Sequence, residues 1–231
     1  MTRVVLFDID GTLLASGGVG RRAMEGALLA HFGTIGPTHY RYDGKTDKQI
    51  ARESMRHAGF SDDVIDARMD SLLADYLARL EHTVASGEHV VRVHLGIPEL
   101  LDALEAREGV LLGLLTGNIA PGAALKLRAA GLAAERFRVG AFGSDHEQRT
   151  ELPAIAQQRA AQLLGHPVSG DALVIIGDTP ADIACGRGVG ARAVAVATGH
   201  YTVSDLATHA PHAVVEDFTD LSAALRAICD A

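Results

Sequence analysis

Tryptophan is absent from the 231-residue chain, lysine occurs three times, and only 4% of residues are aromatic. The two cysteines, Cys185 and Cys229, are too few for a disulfide framework and have no metal-ligating neighbour at the usual spacing, so both read as reduced, buried thiols. No basic run offsets a net charge of −8, which excludes the electrostatic footprint of a nucleic-acid or anionic-membrane binder. No apolar run approaches the roughly 18 residues that cross a bilayer. The first such run, 4–14, is broken by Asp8 and Asp10, which a signal-peptide core does not tolerate. The expectation is a soluble, cytoplasmic protein. Its 48% apolar and 22% charged residues are ordinary for a globular domain, so disorder, collagen and coiled coil are excluded. The length suits one sizeable domain, or a domain carrying a smaller insertion.

What is present is an alternation. Runs rich in Val, Ile and Leu at 4–7, 110–115, 139–142, 173–176 and 193–196 fit strands buried on both faces. Helical patterns lie between them at 98–107, 121–130, 152–164 and 180–188, each with proline near the first turn. This order predicts an α/β fold with a doubly wound parallel sheet, whose ligands sit outside the carboxyl ends of the strands. One stretch interrupts it. From 16 to 87 the pattern is helical, with Ile65, Met69, Leu72, Tyr76 and Leu80 spaced by three and four and widened by Leu73 and Leu77. Ser61 is placed to cap that helix, and Thr46 with Gln49 matches a capping box opening another over 48–57. Gly17-Gly18 and Ser86-Gly87 give the segment hinge-like ends. The expected organisation is an α/β core of 1–15 and 88–231 with an all-helical insertion at 16–87.

The chemistry concentrates at strand ends. In Phe7-Asp8-Ile9-Asp10-Gly11-Thr12, side chains alternate, so Asp8 and Asp10 emerge on the same side at the end of a buried strand. Two carboxylates that close repel unless a cation lies between them or one holds a proton. A third acid, Asp178, follows the 173–176 run after Gly177, and Asp182 stands four residues on, in the first helical turn, where a carboxylate also suits the helix dipole. Acids converging on one sheet edge make a hard oxygen site suited to Mg²⁺. The 110–115 run leads into Thr116-Gly117-Asn118, which offers a hydroxyl, a closely approachable backbone and an amide for phosphate oxygens.

Asp8-x-Asp10-Gly11-Thr12, then Thr116, then Gly177-Asp178-x-x-x-Asp182 resembles the haloacid dehalogenase superfamily over essentially the whole chain. The helical insertion, with Gly44-Lys45-Thr46-Asp47, is similar to the C1-type cap of the phosphoglycolate phosphatase and β-phosphoglucomutase branch. The resemblance implies an Mg²⁺-dependent phosphomonoester hydrolase acting on a small phosphorylated metabolite. Asp8 would be the nucleophile forming an aspartyl-phosphate, and Asp10 the acid and then the base. Asp8, the Asp10 carbonyl and Asp178 would hold the metal, with Asp182 beside them. Thr116, Gly117 and Asn118 would bind the phosphoryl group, and Lys45 is a candidate substrate contact from the cap. The sequence departs from the family at the position of a third-motif lysine. Arg149 is the expected substitute, with Arg159 as the alternative; arginine keeps the charge but changes the geometry.

Other patterns carry less. Gly44-Lys45-Thr46 lacks the second glycine and preceding strand of a phosphate loop, and the two Gly-x-Gly-x-x-Ala strings stand in the wrong relation to strands for dinucleotide binding. A phosphomutase uses the same acids and a similar cap, and is the rival activity; a dehalogenase would lack the second acid. A receiver-like signalling module also places acids on strand ends, but it needs about half this length and has no helical insertion.

Overall fold

A computed structural model describes residues 2–87 and 89–230. The strands are β1 (Arg3–Phe7), β2 (Leu14–Ala15), β3 (Arg92–Val93), β4 (Val110–Thr116), β5 (Val139–Phe142), β6 (Leu173–Gly177), β7 (Arg192–Val196) and β8 (Ala213–Val215). Among the described residues, six of them form one sheet in the order β5-β4-β1-β6-β7-β8, every pair parallel. β1 is central and its residues Val4 to Phe7 are fully buried, with Leu6 opposite Gly113 on one side and Ile175 on the other. The order reverses between β1 and β6, and a crevice opens at such a reversal beyond the carboxyl ends.

The helices are α1 (Val19–Phe32), α2 (Asp47–His57), α3 (Asp62–Ala85), α4 (Ile97–Glu105), α5 (Ala120–Ala129), α6 (Leu152–Leu164), α7 (Pro180–Cys185), α8 (Val203–Ala207) and α9 (Leu221–Cys229). The five expected strands are all present, as are the four expected core helices. The helix expected over 180–188 ends instead at Cys185 and tightens into a 3₁₀ turn, Gly186–Val189. The thiols are free, Cys185 buried and Cys229 partly so. None of the helices is long and apolar enough to cross a membrane, among the described residues.

Residues 16–87 fold as α1, α2 and α3, with α1 and α2 packed on α3. The α3 stripe buries Ile65, Met69, Leu72, Leu73, Tyr76 and Leu80. Thr46 caps α2 by accepting from the Gln49 N–H at 3.1 Å, but the Gln49 side chain turns to Glu53, so the reciprocal half of the capping box is not made. Ser61 stands at the N-cap of α3 without a side-chain cap bond. The two ends of the segment are joined by β2 and β3, an antiparallel pair with Leu14 opposite Val93. The apolar core runs without a break from Phe7, Ile9 and Leu13 under the sheet tips to Met24, Leu72 and Tyr76 in the helices.

Candidate active site

Beyond β1 the chain makes a tight loop in which the Leu14 N–H returns to Ile9 O and the Gly11 N–H to Leu14 O. Gly11 has φ 82°, and a Cβ there would lie 2.4 Å from the Asp178 carboxylate. Glycine is therefore required twice over, for the left-handed backbone and for the close approach. The loop also aims Thr12, whose hydroxyl donates to Asp178 Oδ1 at 3.1 Å. After β7, the Thr198 hydroxyl donates to Gly11 O at 2.5 Å, and Gly199 lies so close to Asp178 that a Cβ would overlap its Oδ2.

This architecture gathers Asp8, Asp178 and Asp182, each with an oxygen within 4.8 Å of the others. Burial, Asp182 and Asp8 push Asp178 up to about 8. Burial raises Asp8 to about 6, with Asp182 and Asp10 adding and Arg149 opposing. Arg149 stands in the 3₁₀ turn Arg149–Glu151 before α6, and its Nη2 lies 2.5 Å from Asp182 Oδ1 and 3.4 Å from Asp8 Oδ1. Burial works against its charge but is outweighed by Asp182 and Asp8. Arg159, the alternative, is on the surface, bound to Asp145 at 2.7 and 2.8 Å. Asp182 is held by Arg149 on one oxygen. Its other oxygen accepts from the Thr179 hydroxyl at 2.6 Å and the Thr179 N–H at 3.0 Å, completing a capping box at the start of α7.

Asp10 faces a different cation. Its Oδ2 accepts from Lys126 Nζ at 2.6 Å and Asn118 Nδ2 at 2.8 Å. Burial would raise Asp10, but the Lys126 charge and these two bonds outweigh it and hold the carboxyl below its usual range. Asn118 Oδ1 accepts from Lys126 at 2.6 Å, and its Nδ2 also donates to Thr116 Oγ1 at 2.8 Å. Both Thr116 and Asn118 are buried, so the amide expected to bind phosphate is already engaged by its neighbours.

The loop 44–47 lies across these tips. The Asp47 N–H donates to Gly117 O and the Ile119 N–H to Asp47 Oδ2, both at 2.8 Å. A Cβ on Gly117 would sit 2.0 Å from Lys45 O, so the backbone that glycine admits is that of this loop. The Thr46 hydroxyl donates to Glu147 O at 2.6 Å, and Arg52 Nε pairs with the Glu147 carboxylate at 2.7 and 2.8 Å. Together the loop and tips enclose a cavity of about 620 Å³ that reaches Asp8, Asp10, Thr116, Arg149 and Asp178. Lys45 lines it too, but its ammonium is bound to Glu53 at 2.6 Å and the Tyr40 hydroxyl at 2.5 Å.

Lys126, Thr198 and Gly199 are the site residues that motif reading passes over, and Thr12 and Asp47 stand within the quoted motifs without an assigned role. Lys126 had a signal: one of three lysines, set between Leu125 and Leu127 in an apolar helix. The others depend on contacts between distant segments.

The match to the haloacid dehalogenase-like hydrolase family spans residues 5–187, and the chain belongs to that family. A phosphoglycolate phosphatase from Rhodospirillum rubrum is 30% identical over 226 residues, covering 96% of this chain and 90% of the relative. Two solved structures share the fold. A hydrolase from Pseudomonas syringae superposes with TM-score 0.69 at 23% identity, over 99% of this chain and 100% of the other. CbbY from Rhodobacter sphaeroides, in complex with phosphate, gives TM-score 0.69 at 22% identity over 96% of both chains.

Proposed function

We propose that the chain is an Mg²⁺-dependent phosphomonoester hydrolase that works through an aspartyl-phosphate on Asp8. The observation that carries this reading is the gathering of Asp8, Asp178 and Asp182 at the crevice mouth, with the Arg149 guanidinium against Asp8. The upward shifts of Asp8 and Asp178 mark a cluster whose charges oppose one another, and carboxylate oxygens at this spacing suit a hard divalent cation. Both Asp182 oxygens are already bonded, so Asp8 and Asp178 would hold the ion, with the Asp10 carbonyl, and Asp182 would steady Arg149 beside it. Bound there, the ion would neutralise the phosphoryl oxygens that an anionic nucleophile must approach.

An Asp8 oxygen attacks phosphorus, forming the O–P bond as the ester oxygen departs with a proton from Asp10. Asp10 then takes a proton from the water that cleaves the acyl phosphate, regenerating Asp8 and releasing phosphate. Arg149 binds the charge that builds on the equatorial oxygens, with the Thr116 hydroxyl and Gly117 on the cavity wall beside it. Residues 16–87 act as a cap, closed through Asp47 and Glu147, that excludes bulk water during transfer. Lys45 reaches the non-reacting end of a substrate by exchanging Glu53 for it. Phosphoglycolate, the substrate in the name of the Rhodospirillum relative, is the first compound to assay.

The test is a panel of phosphate esters with and without Mg²⁺. Chelation abolishes phosphate release and Mg²⁺ restores it, and rapid quench with ³²P-labelled ester traps an acid-stable phosphoenzyme that Asp8→Asn cannot form. Full turnover after exhaustive chelation, or wild-type labelling of Asp8→Asn, would sink the assignment. Isomerisation of a sugar phosphate without phosphate release would favour the mutase instead.

A further inference from the structure

We propose that Lys126 is a positioning residue for the acid–base carboxylate, clamping one oxygen of Asp10 and leaving the other to carry the proton. The inference deepens the phosphatase reading and rests on it.

Lys126 is 3% exposed, and its ammonium meets Asp10 Oδ2 and Asn118 Oδ1, each at 2.6 Å. A lysine can only donate, so Asn118 must turn its oxygen to Lys126, which sends its NH₂ to Asp10 Oδ2 and Thr116 Oγ1 at 2.8 Å. The amide orientation is thus fixed by the lysine. The Lys126 and Asn118 bonds both land on Oδ2 and Ser16 adds a weaker interaction with the carboxylate, while Oδ1 is buried and makes no hydrogen bond of normal geometry. Rotating the carboxylate would break both bonds at once. The arrangement leaves Oδ1 as the atom that delivers a proton to the leaving oxygen and later takes one from water.

The site thereby divides its labour between two cations. Arg149 serves Asp8 and Asp182, and Lys126 serves Asp10. Stability alone is a poor reason to bury an ammonium, because desolvation often cancels the gain from a buried ion pair. Lys126 also lies near a second carboxylate, Asp47, delivered by the helical segment and hydrogen-bonded by the Tyr76 hydroxyl. Removing Lys126 therefore leaves the buried Asp47 and the partly buried Asp10 without their cation, and the test must separate that damage from lost positioning.

Two esters read the difference. p-Nitrophenyl phosphate has a leaving group that departs without a proton, whereas β-glycerophosphate must have its alkoxide protonated, and kcat/KM reports that first transfer. Lys126→Met lowers kcat/KM for β-glycerophosphate about 10²-fold or more and for p-nitrophenyl phosphate less than about threefold. Asp10→Asn shows the same split, and adding Lys126→Met to it costs nothing further, as expected of residues acting as one unit. Equal losses on both esters in a folded Lys126→Met protein overturn the proposal. Lys126→Met/Asp47→Asn covers the case in which the single variant does not fold, since it removes the uncompensated charge. Persistence of the split there supports positioning, and recovery of β-glycerophosphate turnover shows that Lys126 only balances charge. Failure of the wild type to hydrolyse either ester with Mg²⁺ is a different result, and overturns the phosphatase reading itself.

Discussion

Glu53 on α2 and Asp178 beyond β6 are both carboxylates, yet their surroundings drive them in opposite directions. Burial is the largest single influence and raises Glu53, but hydrogen bonds from Lys45, Tyr40 and Gln49 together prevail and pull it down to about 2. Asp178 has a single hydroxyl donor, Thr12, against burial and two neighbouring acids, and rises to about 8. In the helical segment charge is matched where it stands: Lys45 with Glu53, Arg56 with Asp62, Arg52 with Glu147 and Asp66. At the strand tips it is left in excess. A fold holds unreconciled acids together only at a cost, and that cost marks the strand tips as the place where something else is meant to bind.

The comparison makes its sharpest claim through paired substitutions. Asp178→Asn removes a charge that its neighbours oppose while keeping an acceptor for Thr12, so the metal-free protein should melt higher. The rise should be roughly 2–4 °C for each kcal/mol of repulsion relieved. The same variant should lose turnover by about 10³-fold or more, the several kcal/mol expected from a displaced cation. Glu53→Gln should do the reverse, melting lower with p-nitrophenyl phosphate turnover close to wild type. Calorimetry in chelator and a standard phosphate-release assay suffice, and a lower melting point for Asp178→Asn would remove the basis of the comparison.

A pH series tests the same idea without mutation. Asp8 and Asp178 bind protons more tightly folded than unfolded, so their contribution to stability is complete below the ordinary carboxylate range near pH 4 and is lost as pH rises. The two carboxylates interact, so the loss should spread over the window that opens above the ordinary carboxylate range and closes near pH 8. Melting temperatures in chelator should therefore fall between pH 5 and 8, and saturating Mg²⁺ should flatten the decline. A metal-free melting temperature that climbs across that window contradicts the charge excess.

Much of this contrast was legible in the residues. The runs at 110–115 and 173–176 are long and apolar enough to be read as buried strands, and their tips carry Thr116 and Asp178 directly. The α3 stripe was legible because six of its residues repeat at helical spacing. β8 was not, being three half-buried residues at a sheet edge, and neither were the two-residue strands β2 and β3, whose pairing joins positions far apart in sequence. Lys126 escaped for a subtler reason. It lies eight residues after Asn118, and only because helical side chains lean toward the N-terminus does its ammonium reach back to the strand tip. Asp47 meets Ile119 across segments with nothing local to announce it.

The smallest expected effect concerns Lys45, where the matched and unmatched regions touch. Its ammonium is held by Glu53 and Tyr40 and lies 4.1 Å from the centre of the Tyr40 ring, so it is paired rather than free, though partly exposed. Its position on the cavity wall still lets it serve an anionic group on the far end of a substrate, provided Glu53 yields. Exchange of one carboxylate partner for another changes the free energy little, about 1 kcal/mol for a partly exposed pair, or about fivefold in KM. Lys45→Ala should therefore raise KM for phosphoglycolate by about that factor and leave p-nitrophenyl phosphate, which has no second anion, unchanged. Glu53→Gln should act in the opposite sense, lowering KM for phosphoglycolate because the ammonium no longer has a competing carboxylate. Opposed shifts from the two variants on the anionic substrate alone would assign Lys45 to recognition. Parallel shifts, or equal ones on both esters, would return the pair to the helical segment's internal charge balance.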